Sequence, residues 1–270
     1  MPDPQPTYGT VETVERLTPS MARVVMGGDG LAAFAATDRT DQYVNALFLP
    51  DGAPHVPPFD PDAARAGDAA HRPRGRRYTV RAWDAEHRRL TIDLVVHGDH
   101  GYAGRWAQRA RPGDRLQVVG PSGGYRPDPG ADWHLLAGDE SALPAIAASL
   151  EVMPAHAEGV VVVVVDGPGH EYPLAGPDGL DVRWLHRSGS DAPADLLPAA
   201  VADLAWRPGT PQVFVHGEAA EVRATRRHLL GARGVPKEGA SISPYWRRGH
   251  TDEAWREVKR DWIAAQAADV

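Results

Sequence analysis

Trp133-His134-Leu135-Leu136-Ala137-Gly138-Asp139-Glu140-Ser141-Ala142-Leu143-Pro144-Ala145-Ile146 is the stretch whose reading decides the fold. Its first five residues are apolar or nearly so, as in a short buried strand, and Gly138 closes them. Leu143, Ile146, Ala147 and Leu150 then fall on one helical stripe. The unbroken valine run Val160–Val165 follows, as expected for a strand buried on both faces. Asp181–Leu185 and Gln212–Val215 extend the strand series, and Glu218–Leu230 reads as a helix that Gly231 caps. Strand alternating with helix predicts a doubly wound parallel α/β sheet. The chain closes on Asp252–Ala268, an amphipathic helix whose face of Trp255, Val258, Trp262 and Ile263 is expected to dock onto the core.

Upstream the texture differs. Tyr8–Arg16, Met21–Met26, Gln42–Leu49, Arg76–Ala82, Arg89–Val96 and Arg115–Val119 alternate or run apolar like strands. His55–Arg74, rich in Pro, Ala, Asp and Gly, reads as a long surface loop. Many short strands and few helices predict a small antiparallel β-barrel or sandwich. The change of texture near Asp128–Ala131 divides the chain into an expected first domain, residues 1–129, and a second, residues 130–270.

Composition narrows the function classes. With 270 residues and 42% hydrophobic content, each half can bury a core. There are no cysteines, so disulfides, cysteine nucleophiles and cysteine-ligated clusters are excluded. A net charge of -7 argues against nucleic acid as a partner, and no apolar stretch is long enough for membrane insertion. Met1–Pro6 lacks the basic and apolar regions of a secretory signal, so the cytoplasm is the expected compartment, and a monomer the expected state.

Two motifs are set aside on chemical grounds. Gly120-Pro121-Ser122-Gly123-Gly124 matches the hydrolase elbow G-x-S-x-G, which requires a helix directly after it. Pro127 and Pro129 block that helix, so the segment is read as a turn. His97 and His100 form H-x-x-H, but no third ligand accompanies them and no metal site is assigned.

Four other segments gain meaning from their order. Arg76-Arg77-Tyr78-Thr79 opens a strand: an arginine pairs with phosphate, a tyrosine stacks on an aromatic ring, and a threonine hydroxyl hydrogen-bonds a flavin heteroatom. His97-Gly98-Asp99-His100-Gly101-Tyr102-Ala103-Gly104-Arg105-Trp106-Ala107 has the small residues that let backbone amides approach a pyrophosphate. Gly138–Ile146 is a strand-to-helix turn where a doubly wound sheet binds a nucleotide, and Val215-His216-Gly217-Glu218 repeats the arrangement.

Together with Tyr245-Trp246-Arg247-Arg248-Gly249, these segments resemble the siderophore-interacting protein family, a branch of the ferredoxin–NADP reductase superfamily, over nearly the whole chain. The resemblance implies an N-terminal FAD-binding barrel and a C-terminal NAD(P)-binding domain. It implies that Arg76, Tyr78 and Thr79 hold the flavin, its ribityl chain and phosphate, and that His97, Gly101, Ala103 and Trp106 surround the pyrophosphate and adenine side. It further implies that Gly138, Asp139, Glu140, Ser141, Ala142 and Pro144 face the nicotinamide, that Gly217 and Glu218 close that pocket, and that Trp246 lies near the flavin. In the wider superfamily a basic residue at the place of Arg187 contacts the 2′-phosphate of NADPH. Tyr102 and Pro244 depart from the family pattern, which often has Pro and Gly there.

The expected activity is an NAD(P)H-dependent ferric-siderophore reductase. NADPH or NADH donates electrons, FAD carries them, and a ferric siderophore accepts them and releases Fe(II), because reduction weakens hard-oxygen chelation. No catalytic acid or base is expected. Many ferric siderophores are anionic, so Arg126, Arg247 and Arg248 are candidate substrate contacts against the net negative charge. Two alternatives are a flavin reductase or diaphorase with another acceptor, and a siderophore-binding protein without turnover.

Overall fold

In a computed structural model, described for residues 6–96, 98, 101–266 and 269, the chain divides into two compact units, Met1–Gly124 and Tyr125–Val270.

The first unit is built from strands β1 (Tyr8–Thr18), β2 (Met21–Gly27), β3 (Tyr43–Phe48), β4 (Arg74–Asp84), β5 (Arg89–Val95) and β6 (Arg115–Ser122). They close into an antiparallel barrel in the order β1-β2-β5-β4-β3-β6, so no strand edge is left to pair elsewhere. Alternation decides what faces inward: Val24, Met26, Val44, Phe48, Ile92 and Leu94 are buried in one core. The segment expected as loop between β3 and β4 contains a short helix, α1 (Pro61–Ala66). Asp60 caps it by accepting from the Asp62 and Ala63 amides, and Pro61 supplies a preset φ at its start. Helix α2 (Tyr102–Arg109) follows β5 and lays Ala103 and Ala107 on the barrel core. Ser122 ends β6, and no helix follows it before Gly130, so the G-x-S-x-G match builds no elbow.

The second unit holds β7 (Trp133–Asp139), α3 (Leu143–Val152), β8 (Gly159–Val165), β9 (Leu180–His186), α4 (Leu196–Ala202), β10 (Pro211–Glu218), α5 (Ala219–Arg226), β11 (Ala240–Trp246) and α6 (Asp252–Ala265). Its five strands are parallel, in the order β11-β10-β7-β8-β9. Antiparallel barrel and parallel α/β sheet are the two classes that the hydrophobic patterns imply. The valine run is buried along its whole length, with Val160, Val162 and Val164 packing on Leu197, Val201 and Val222 of α4 and α5.

Sequence and structure differ at three places here. β11 is not legible as a strand because Pro244 interrupts it; the chain tolerates this because β11 is the sheet's edge, with Pro244 in register with Gly217. Gly231 does not cap α5, which continues through a π-helical turn, Arg227–Ala232. On α6, Trp255 is buried and Trp262 packs edge-on against it at 5.5 Å, but Val258 and Ile263 are exposed. They sit on the flanks of the stripe centred on Trp255 and Trp262 rather than within it. Among the described residues no helix is long and apolar enough to cross a membrane.

Candidate functional site

On the barrel, the period of two along β4 sets Arg74, Arg76 and Tyr78 on one face. Tyr78 meets Phe48 edge-on at 6.1 Å, and Phe48 meets Trp106 of α2 at 5.6 Å. Tyr102, the first residue of α2, stands beside this row. The guanidiniums of Arg74, Arg76 and Arg105 each lie 5.7 Å from its ring centroid. Three cations around one phenol ring repel one another, and the ring's negative face offsets only part of that. Arg76 donates to the Gly75 carbonyl, Arg74 to that of Ala69 and Arg105 to that of Gly101, and Arg105 also faces the exposed Asp51 carboxylate at 3.8 Å. Arg74 Nε is buried without a hydrogen-bond partner. Gly101 precedes the helix at φ +74, a conformation that L side chains rarely adopt, and a Cβ there would enter open space beside the first amides of α2. This donor set fits a pyrophosphate.

Thr79, the next residue along β4, is buried on the opposite face, paired with Tyr43. Trp106 also lines a cavity of about 570 Å³ with Phe48, Leu49, Val56 and Leu116. His97 lies outside the described residues. Arg74 and Arg105 are candidate site residues that the sequence does not single out; the signal for Arg74 is its spacing of two from Arg76.

In the second unit the strand order reverses between β7 and β10, the switch point outside whose carboxyl ends ligands of such sheets bind. Asp139 occupies that point. Its Oδ1 accepts from the Ser141 amide at 2.8 Å and the Ser141 hydroxyl at 2.5 Å, and its Oδ2 from the Glu218 amide at 2.9 Å and Trp246 Nε1 at 2.7 Å. One carboxylate thus ties the ends of β7, β10 and β11. Gly217 is required beside it, since a Cβ there would sit 2.7 Å from Asp139 Oδ2. Gly138 and Ala142 are buried in the turn, and Pro144 opens α3.

Glu218 caps α5, accepting from the Ala220 and Glu221 amides, while its Oε1 accepts from the Arg248 amide at 3.0 Å. Arg248 also pairs with Glu221 at 2.7 Å, whereas Asp252 takes Arg256. Glu221 is buried, with Oε2 lacking a partner. Burial, and then Asp139, push its carboxyl up to about 7 against the pull of Arg248. Arg247 lies over the Trp255 ring at 6.0 Å. Arg126 is exposed in the segment after β6, its carbonyl accepting from Gln212.

Glu140 and Arg187 meet fork to fork, at 2.6 and 2.9 Å, and Arg187 reaches Asp166 at 3.0 Å. Burial raises the Glu140 carboxyl, countered by Arg187. Burial also works against the Arg187 charge, but the carboxylates hold its guanidinium protonated above the ordinary arginine value.

Residues 10–125 match the model of the siderophore-interacting FAD-binding domain, and residues 131–249 that of the siderophore-interacting protein. The ferric vibriobactin reductase ViuB of Vibrio cholerae is 34% identical over 249 residues, which cover 89% of each chain. The NADPH-dependent ferric-chelate reductase of Escherichia coli K12 is 34% identical over 242 residues, 88% of this chain and 91% of the relative. The crystal structure of the siderophore-interacting protein SipS from Aeromonas hydrophila superposes with a TM-score of 0.83 at 29% identity, covering 96% of this chain and 98% of that one. With its arginine-lined barrel matching an FAD-binding domain and its parallel sheet matching the second part, this chain belongs to the siderophore-interacting protein family.

Proposed function

We propose that the chain is an FAD-dependent reductase that takes electrons from NADH or NADPH and delivers them to ferric siderophores, releasing iron as Fe(II). The observation that carries this reading is the gathering of Arg74, Arg76 and Arg105 on Tyr102 at the start of α2, a cationic cluster inside a domain of the FAD-binding family. The names of two relatives, a ferric vibriobactin reductase and an NADPH-dependent ferric-chelate reductase, support the substrate class and a nicotinamide nucleotide, of either kind, as electron donor.

Bound FAD supplies the conversion of a two-electron hydride into single-electron delivery, and the protein supplies position and electrostatics. Arg76, with Arg74 and Arg105, would hold the pyrophosphate by charge-assisted bonds. Gly101 and Ala103 leave its approach open, and Tyr78 and Trp106 give apolar walls to the ring systems. Thr79, buried on the other face of β4, does not share this wall and is given no flavin contact in this reading. Gly138–Pro144, Gly217 and Glu218 shape the nicotinamide turn at the switch point, with Asp139 fixing Trp246 against the strand ends. Arg126, Arg247 and Arg248 are the siderophore contacts. Arg248 remains half-exposed although it is tied to Glu221, so one side of its guanidinium is accessible to an anion. The protein acts as a cytoplasmic monomer in this reading.

The test is to load the purified chain with FAD, reduce it anaerobically with NADH or NADPH, and add an anionic ferric siderophore with a ferrous chelator as trap. Bleaching of the flavin followed by reoxidation with stoichiometric Fe(II) is the expected result. Stoichiometric FMN in the purified protein, or a reduced protein that the ferric siderophore leaves reduced, overturns the reading. The double variant Arg247→Ala with Arg248→Ala should slow the siderophore half-reaction and spare flavin reduction.

A further inference from the structure

Three neighbouring strands of the sheet, β7, β8 and β9, are each followed at once by a charged residue: Glu140, Asp166 and Arg187. The three side chains meet at one edge. Arg187 gives Nη1 and Nη2 to the two oxygens of Glu140 at 2.6 and 2.9 Å, and Nη1 also to Asp166 Oδ1 at 3.0 Å. Exposure is uneven: 4% for the Glu140 side chain, 17% for Arg187 and 51% for Asp166. The arginine is therefore a committed internal counter-ion, and what the trio shows to solvent is largely a carboxylate.

We infer that the Glu140–Arg187–Asp166 trio makes this chain select NADH over NADPH, with Asp166 as the residue that reads the adenosine ribose. The inference rests on the reading that a nicotinamide nucleotide binds along this strand edge. A 2′-phosphate would bring a dianion against two carboxylates that share a single guanidinium. To receive it, Arg187 would have to leave Glu140, stranding a buried carboxylate, and that exchange is unfavourable. A ribose 2′-hydroxyl is instead a donor, and an acidic side chain at the carboxyl end of a strand in a doubly wound sheet accepts from it. Specificity here comes as much from repulsion of the wrong nucleotide as from attraction of the right one. The arginine expected from sequence as the phosphate receptor thus serves to hold the carboxylates that exclude the phosphate.

The test uses the FAD-loaded full chain and two redox-silent probes, 5′-ADP and 2′,5′-ADP, titrated by calorimetry. The wild type should bind 5′-ADP more tightly by roughly tenfold or more, and kcat/KM for NADH over NADPH should follow the same order. Asp166→Ser removes the exposed carboxylate and leaves the Glu140–Arg187 pair, so the fold is retained. It should tighten 2′,5′-ADP binding by about tenfold and narrow the preference. A wild type that binds 2′,5′-ADP as tightly as 5′-ADP, an unchanged ratio in Asp166→Ser, or no binding of either probe overturns the inference. Should the probes be discriminated while neither dinucleotide reduces the flavin, the reductase reading fails and this inference stands.

Discussion

The Tyr102 cluster of the barrel and the strand ends of the sheet unit treat charge in opposite ways. The barrel draws Arg74, Arg76 and Arg105 onto the Tyr102 ring and gives them mainly backbone carbonyls. The sheet unit buries Asp139, Glu140, Glu218 and Glu221 and bonds them from within, through Trp246, Arg187, Arg248 and the amides at the start of α5. In the proposed function the first is the receptor for an anion. The second pairs its carboxylates internally, leaving only Glu221 Oε2 among them without a partner in the described residues, and its charges fix loops and strand ends. The difference teaches that an arginine at a nucleotide site is a ligand contact or a scaffold strut according to what else is buried beside it.

That contrast can be broken in order of expected effect. Arg187→Ala should be the most damaging to stability: it strands the buried Glu140 carboxylate, costing about 3 kcal/mol, read as a lower denaturant midpoint. Retained stability would mean that the sheet's charges are as replaceable as surface ones. Arg76→Ala should leave folding nearly untouched and weaken FAD binding by about 2 kcal/mol, roughly 30-fold, in a flavin-fluorescence titration. A fall in stability without a change in FAD affinity would make the barrel cluster structural after all.

Glu221 sharpens the comparison through pH. Its carboxyl is raised to about 7 by burial first, with Asp139 and Glu218 adding repulsion and Arg248 and Arg187 opposing. A carboxyl raised above its unfolded value keeps more protons in the native state, so its contribution to stability is full at acid pH and is lost as pH rises through about 7. Glu221→Gln should therefore be more stable than the wild type at pH 8 by about 1 kcal/mol, with the gap closing near pH 4.5. A constant gap at both pH values would contradict that account. The smallest effect is expected for Arg74→Ala on folding: within about 0.5 kcal/mol by denaturant titration, because the removed charge relieves crowding around Tyr102.

Much of this architecture is legible in one dimension. Alternation in the first half and the valine run in the second are local patterns that burial imposes on any strand, and they separate barrel from parallel sheet. Arg76 and Tyr78 are legible for the same reason, since a period of two aligns them on one face. β11 is not legible, because Pro244 is acceptable there only by virtue of an edge position that the sequence does not mark. On α6, Trp255 and Trp262 are separated from Val258 and Ile263 by small differences in angle about the helix, and only packing shows which side is covered.

The role of Arg187 lies at the limit. Its position after a strand is a sequence fact, but its partner Glu140 is 47 residues away, and Trp246 finds Asp139 across 107. Sequence by itself determined the two unit types, the order of the candidate nucleotide-binding segments and the residue types available to them. Tertiary structure alone decided which arginine is tied to a buried carboxylate and which gather around the Tyr102 ring. Pairings over such separations depend on sheet order and on where each strand ends, and a few ångströms of register decide whether two buried charges meet.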